Sequence, residues 1–280
     1  MKKLIFFLCV IFLVFGITGV AGAAPNMLPT WYDADKTGID DSLLCWAASA
    51  SNTLAYTGWT GTNDGIDSIS TADDIFAYFN SYWPDGAGNA YYGHEWWFTG
   101  SESAPLTSPT GGGGFYNDQW VAPWPTNAYF ETWMDSDIGI DAMVEINTFI
   151  SENRGITIDI DAGMGHALTV WGIDMDPIVQ ELYVTDSDDG GLEALKTFEY
   201  YLGDDGYYYM ADYINGTWQT EATNTRITGL TGLINNVGGI LPYYDDGPGV
   251  EPVPEPATLF LVGSGLMGLF GLGRKKFFRR

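Results

Sequence analysis

Between residues 43 and 153 apolar positions recur at helical spacing in three stretches, and after Gly155 the period shortens to two. The first stretch is the Ala-rich run Leu43 to Tyr56, with Asp40, Asp41 and Ser42 as N-cap candidates and Gly58 near its end. The second, Thr71 to Tyr82, carries Asp73 and Asp74 in its first turn and Ile75, Phe76 and Phe79 on one face. The third, Asp141 to Asn153, places Met143, Val144, Ile146, Phe149 and Ile150 at apolar positions, with Gly155 as its stop. Strand-like alternation then runs over Ile156 to Ile160, His166 to Ile173 and Glu181 to Thr185, and aromatic-rich runs continue to Tyr213. Helices early and antiparallel strands late predict an α+β architecture. Gly100 to Gly114, with Ser108-Pro109-Thr110 and four consecutive glycines, reads as a long surface loop, either bordering a cleft or simply connecting. No internal repeat of fixed period is present.

Two apolar runs stand outside this body. Leu4 to Phe15 follows Lys2 and Lys3 and precedes Ala21-Gly22-Ala23, so Met1 to Ala23 reads as a secretory signal cut before Ala24. It is short for a membrane span of roughly 20 residues. At the other end, Gly247 to Pro256 is a Pro-rich linker unable to pack a core. An apolar stretch from Ala257 to Gly273 follows, backed by Arg274, Lys275, Lys276, Arg279 and Arg280. That order describes a short membrane helix with its basic end in the cytoplasm. The run Val253-Pro254-Glu255-Pro256-Ala257-Thr258, the glycines of the helix and the basic terminus together resemble a PEP-CTERM sorting tail. The resemblance implies an exported protein of a Gram-negative envelope, handed to an exosortase-type transpeptidase that removes the tail. A permanent C-terminal anchor is the plainer alternative. The organisation expected is a signal over 1–23, one domain over 24–246, and linker plus tail over 247–280.

Charge narrows the partners. Seven of the 11 lysines and arginines lie in the two ends, leaving Lys36, Arg154, Lys196 and Arg226 in the body against 34 acidic residues. So negative a surface repels nucleic acid and anionic lipid, so membrane contact is expected only through the C-terminal tail before processing. It favours solubility outside the cell and, in principle, binding of divalent cations. The abundance of tryptophan, tyrosine and phenylalanine argues for a packed core rather than disorder.

Removal of the signal also removes Cys9 and leaves Cys45 as the single thiol. An exported chain with one cysteine closes no internal disulfide, so Cys45 is either an inert core residue or a nucleophile. It falls in or just before the first turn of the first helix, where backbone N–H groups and the macrodipole favour a thiolate. The chain has only two histidines, His94 and His166. Folding the strands around His166 and Asp186 into a hairpin about Asp176-Pro177 sets these two residues opposite, or nearly so, on one face. A carboxylate there would fix the imidazole tautomer, as a Cys–His pair requires. His94, in Gly93-His94-Glu95-Trp96-Trp97, has no such partner and is expected in an aromatic surface loop, with a smaller chance of meeting substrate.

At these residues the chain resembles the IdeS/Mac family of secreted cysteine endopeptidases, which have a papain-like fold. One block runs from Trp31-Tyr32-Asp33 through Lys36-Thr37 and Asp40-Asp41-Ser42-Leu43-Leu44-Cys45 to Ala47-Ala48 and Asn52; the other runs from His166 through Val170-Trp171-Gly172-Ile173-Asp174 to Tyr183-Val184-Thr185-Asp186-Ser187-Asp188. The resemblance implies a papain-like α+β domain with the nucleophile on its N-terminal helices and a C-terminal antiparallel sheet. It implies Cys45 as nucleophile, His166 as general base and then acid, Asp186 as the residue orienting His166, Asp188 as a supporting acid, and Lys36 binding the oxyanion beside the Cys45 N–H. It implies no cofactor and no metal. The chain departs from the family in three ways. Lys36 stands one residue closer to the cysteine, Trp46 replaces a small residue of the streptococcal members, and residues 59–161 show no match. Nothing supports the immunoglobulin substrates of those members.

The leading expectation is therefore an exported cysteine endopeptidase acting on an unidentified protein substrate. The alternatives are a non-catalytic surface or biofilm-matrix protein binding glycan or protein through aromatic loops, and a transglutaminase- or amidase-like enzyme. The cluster Asp186-Ser187-Asp188-Asp189-Gly190 is a weaker candidate for Ca²⁺, lacking the other ligands of an EF-hand loop.

Overall fold

Local chemistry fixes where the helices begin and end in the computed structural model, which describes residues 24–36, 40–61, 69–100, 109, 114–116, 130–134, 141–161, 165–176, 180–188, 194–214, 217–219 and 225–236. Helix α1 is Cys45–Tyr56, and the expected caps Asp40, Asp41 and Ser42 do not cap it. Leu44 holds the N-cap position with no side-chain bond, because a turn closed by Leu44 N–H to the Asp41 carbonyl sets the entry instead. Helix α2, Ala72–Tyr82, begins with a capping box: Thr71 accepts from the Asp74 N–H while the Asp74 carboxylate accepts from Thr71 N–H. Helix α3, Ala90–Thr99, was not legible as a helix. Asn89 caps it by accepting from the Tyr91 N–H, and Gly100 ends it at φ 64°. Helix α4, Ala142–Ser151, stops at Asn153, which takes φ 56°. Gly155 is not the stop but the first residue of a strand, where a Cβ would come within 2.8 Å of Thr53.

The strands are β1 (Asn26–Met27), β2 (Phe130–Met134), β3 (Gly155–Asp161), β4 (Gly165–Met175), β5 (Gln180–Thr185), β6 (Lys196–Leu202), β7 (Tyr208–Ile214), β8 (Thr217–Gln219) and β9 (Thr225–Leu233). Seven of them follow the last helix, and every pairing is antiparallel. The order is β2-β9-β3-β4-β5-β6-β7-β8, with β1 beside β4, and a β7–β9 pairing joins the strands from β9 through β7 into a ring. The α+β expectation holds in this form.

Alternation along β3 and β4 gives the two sheet faces to different helices. Thr169 meets Ser49 Oγ at 3.0 Å and accepts from Asn52 Nδ2 at 3.1 Å, so this face carries α1. The intervening Leu168 and Val170 join Ile156, Ile158, Ile146 and Phe149 in the main core, on the face covered by α4. A second core is aromatic: Phe79 of α2 and Trp96 and Trp97 of α3 pack together, with Phe115 stacked on Trp97 at 4.8 Å between centroids.

The hairpin register differs from the expected one. Thr169 pairs with Thr185 and Val170 with Val184, two residues beyond the register that sets His166 against Asp186, and the ladder stops there. A bulge at Trp171 shifts the rest by one more residue. Because the first slip is two residues, side chains keep their faces. The turn residues 177–179, most of the 100–114 loop, the signal, and the linker and tail lie outside the described residues. The chain divides into Met1–Ile240 and Leu241–Arg280, the second unit lying wholly outside them. Among the described residues no helix is long and apolar enough to cross a membrane.

Candidate active site

The site forms where the start of α1 meets the ends of β4 and β5. Cys45 is the first helical residue, and its thiol is buried. The N–H groups of a helix's first turn have no intrahelical acceptor, so this end offers donors and partial positive charge to whatever lies before it. Behind the thiol, Trp46 anchors the turn. Its indole N–H donates to the Gly86 carbonyl at 2.9 Å and its ring meets Phe79 and Trp83 edge to face. Gly88 makes room for it, since a Cβ there would stand 2.6 Å from the indole. On the approach to the helix, Asp85 accepts from Leu43 N–H and Ser42 Oγ at 2.5 and 2.9 Å.

His166 supplies the next part. Its Nε2 lies 2.8 Å from Asp186 Oδ1, its Nδ1 lies 3.4 Å from Asp188 Oδ2, and the ring interacts electrostatically with Cys45. With Nε2 held by Asp186, Nδ1 is the ring nitrogen left for proton transfer, and Asp188 lies beside it. The two acids flank the histidine because the ladder runs two residues beyond the expected register. Extended past Thr185, it brings residue 188 opposite His166 and leaves Asp186 on the diagonal. The contact expected between His166 and Asp186 is present; the direct pairing expected to create it is not.

Two lysines complete the cluster. Lys196, at the start of β6, donates to Asp186 Oδ2 at 2.9 Å. Lys36 is buried, donates to the Ser42 carbonyl at 3.0 Å and pairs with Asp188. Burial opposes charge on His166, but the hydrogen bonds to Asp186 and Cys45 prevail and raise its pKa to about 10. Burial likewise opposes charge on Asp186, yet hydrogen bonds from His166 and Lys196 hold its carboxyl well below the usual carboxylate range. At neutral pH the imidazole is thus an imidazolium held by an ionised aspartate.

The two sequence blocks are braced within and between themselves. Asn52 Oδ1 accepts from Ala34 N–H at 2.8 Å within the first, the Trp171 indole donates to Thr185 Oγ1 at 2.9 Å within the second, and Thr185 Oγ1 joins them by donating to the Tyr32 carbonyl at 2.9 Å. All five residues singled out from the sequence, Cys45, His166, Asp186, Asp188 and Lys36, therefore share one cluster. His94 does not join it. It is fully buried in α3 rather than placed in a surface loop, its Nε2 2.8 Å from Thr53 Oγ1, and burial pushes its pKa down to about 3.

Sequence reasoning missed Lys196 and Asp159. Lys196 was one of four basic residues in an acidic body, a signal that called for a partner. Asp159, on β3, interacts electrostatically with His166, and burial pushes its pKa up to about 7. Its position within an alternating strand gave no sign of this.

Single ligand atoms of His166, Asp186 and Asp188 lie within 4.8 Å of one another, a spacing compatible with a metal ion. Lys196 and Lys36 already face these two carboxylates, so the charge a cation would supply is in place. Asp189 and Gly190 of the proposed calcium cluster lie outside the described residues.

Residues 252–275 match the family model of the PEP-CTERM protein-sorting motif. No curated protein matches the chain. The motif makes this an exported protein, processed by an exosortase and sorted to the cell surface.

Proposed function

We propose that the body is a cysteine endopeptidase of the IdeS/Mac, papain-like kind, hydrolysing peptide bonds of a protein met outside the cell. The observation that carries this reading is the Cys45–His166–Asp186 line, with the thiol at a helix N-terminus and the imidazole charged. A helix bearing the thiol, laid on an antiparallel sheet bearing the histidine, supports the papain-like assignment.

In this reading the Cys45 thiolate attacks the peptide carbonyl carbon, and the carbonyl electron pair moves to oxygen. That oxyanion takes the Cys45 backbone N–H and one Lys36 N–H, the ammonium having three donors with two engaged by Ser42 and Asp188. His166 passes its Nδ1 proton to the leaving nitrogen as the C–N bond breaks. It then takes a proton from water, whose oxygen attacks the thioester, and the C–S bond breaks to release acid and restore the ion pair. Asp186 keeps Nε2–H in place throughout, and Lys196 keeps Asp186 ionised.

A glycan- or protein-binding role through aromatic loops has less support, because Trp96, Trp97, Phe98 and Phe115 are buried in the second core. Incubating the mature protein with an unfolded protein substrate tests the proposal. Wild type should cleave it and lose activity to a thiol-directed epoxide, whereas full proteolysis by Cys45→Ala would end the enzyme reading.

A further inference from the structure

Strand β3 brings one more carboxylate to the site, and it is placed unlike the others. Asp159 pairs with Ala167, the residue after His166. By alternation it shares the α1 face with Thr157 and Thr169. Gly155 lies against Thr53 and Thr169 against Ser49 and Asn52, so β3 runs toward the start of α1 as it proceeds, and Asp159 comes level with the turn that bears Cys45.

Its surroundings hold it without neutralising it. Asn89, the cap of α3, donates Nδ2 to Asp159 Oδ2 at 2.8 Å. From β9, Thr228 Oγ1 donates only to the Asp159 carbonyl, at 3.3 Å, and Gly229 leaves the carboxylate its space, since a Cβ there would run into it. Arg226, the cation of that strand, pairs in the ladder with Asp161 and lies over the Tyr207 ring at 4.6 Å. Asp186 and Asp188 each have a lysine. Among the described residues the only cation acting on Asp159 is His166, which itself interacts with Cys45 of α1. One neutral amide donor leaves acceptor capacity on a carboxylate.

From this placement, and resting on the peptidase reading, we infer that the cleft beside Cys45 takes a cationic side chain of the peptide substrate and that Asp159 receives it. The body's charge agrees: 34 acids against four bases draw cationic peptides and repel anionic ones. A guanidinium entering beside Asp159 would add the charge-assisted bonds that Asn89 alone does not provide. It would also ionise a carboxyl that burial holds near 7, so selectivity for basic peptides should rise as pH rises through neutrality.

Quenched fluorogenic octapeptides with one arginine moved through each position, each beside its neutral citrulline counterpart, test the inference. For the best position, wild type should prefer arginine in kcat/KM by roughly tenfold to a hundredfold. Asp159→Asn should collapse that ratio toward unity, and Gly229→Ala, which displaces the carboxylate without removing it, should lower it. A binding arm uses the same peptides, fluorescein-labelled, on Cys45→Ala protein, with and without Asp159→Asn. An arginine preference in binding without cleavage by wild type would overturn the peptidase reading and leave the cationic cleft standing. An arginine-to-citrulline ratio unchanged by Asp159→Asn in either arm, with melting unchanged, would overturn the role of Asp159, as would no arginine preference in either arm.

Discussion

Both histidines touch α1, His94 at Thr53 and His166 at Cys45, yet they are held in opposite charge states. Around His94 the ring is wholly buried against Thr53 and Ala50 of α1, so desolvation governs and the imidazole stays neutral. Around His166 burial acts in the same direction, but a carboxylate and a thiol answer it and the ring is charged. Burial alone therefore does not mark a reactive histidine. A buried imidazole becomes useful for proton transfer when the fold also delivers a fixed acid and a nucleophile, and here two strand ends and a helix start do so.

The largest separation between the two regions should be in catalysis. His166→Gln is expected to lower peptide hydrolysis by at least about 10³-fold while the protein still folds. His94→Gln should keep hydrolysis within a few-fold. The contrast breaks if the two variants lose activity equally in steady-state assays. Asp186→Asn should cost about 10²- to 10⁴-fold, because the amide no longer stabilises the imidazolium or selects its tautomer. Lys196→Met acts one bond further out and should cost only a few-fold, with the alkaline limb of the pH–rate profile moving up as a cation near the imidazolium is removed.

Stability against pH should differ in sign. The folded pKa of His166 lies above its unfolded value, so its contribution is full below about 6.5 and is lost as pH rises through about 10. The folded pKa of His94 lies below its unfolded value, so its neutral burial costs nothing above about 6.5 and progressively destabilises the fold as pH falls toward 3. Urea titrations of wild type and both glutamine variants check this; only His94→Gln should remove the loss between neutral and acid pH. The smallest effect expected is at Gly88, where Gly88→Ala pushes a methyl into the Trp46 indole and should cost about 1–3 kcal/mol in chemical denaturation.

Much of this was legible in the chain because it depends on local pattern. The helix over Thr71 to Tyr82, the alternation of β3 to β5 and the meeting of His166 with Asp186 could each be read from residue order, whereas Lys36 and Asp188 joined Cys45 and His166 only through the family resemblance. What escaped was set by tertiary contacts. Helix α3 has aromatic residues on every side, so it lacks the amphipathic stripe by which a helix is recognised, and the sequence around His94 does not read as one. The bulge at Trp171 and the two-residue slip at Thr169–Thr185 depend on how the indole seats against Thr185, which residue spacing does not encode. Asp159 and Asn89 meet across the chain at 2.8 Å, and Lys196 reaches Asp186 from a neighbouring strand.

The central claim is that His166 activates Cys45 as a nucleophile, and the rate of Cys45 alkylation by iodoacetamide across pH tests it most directly. The account predicts rapid alkylation of wild type at neutral pH. In His166→Gln it predicts much slower alkylation at the same pH. Superimposable profiles for the two proteins would contradict it.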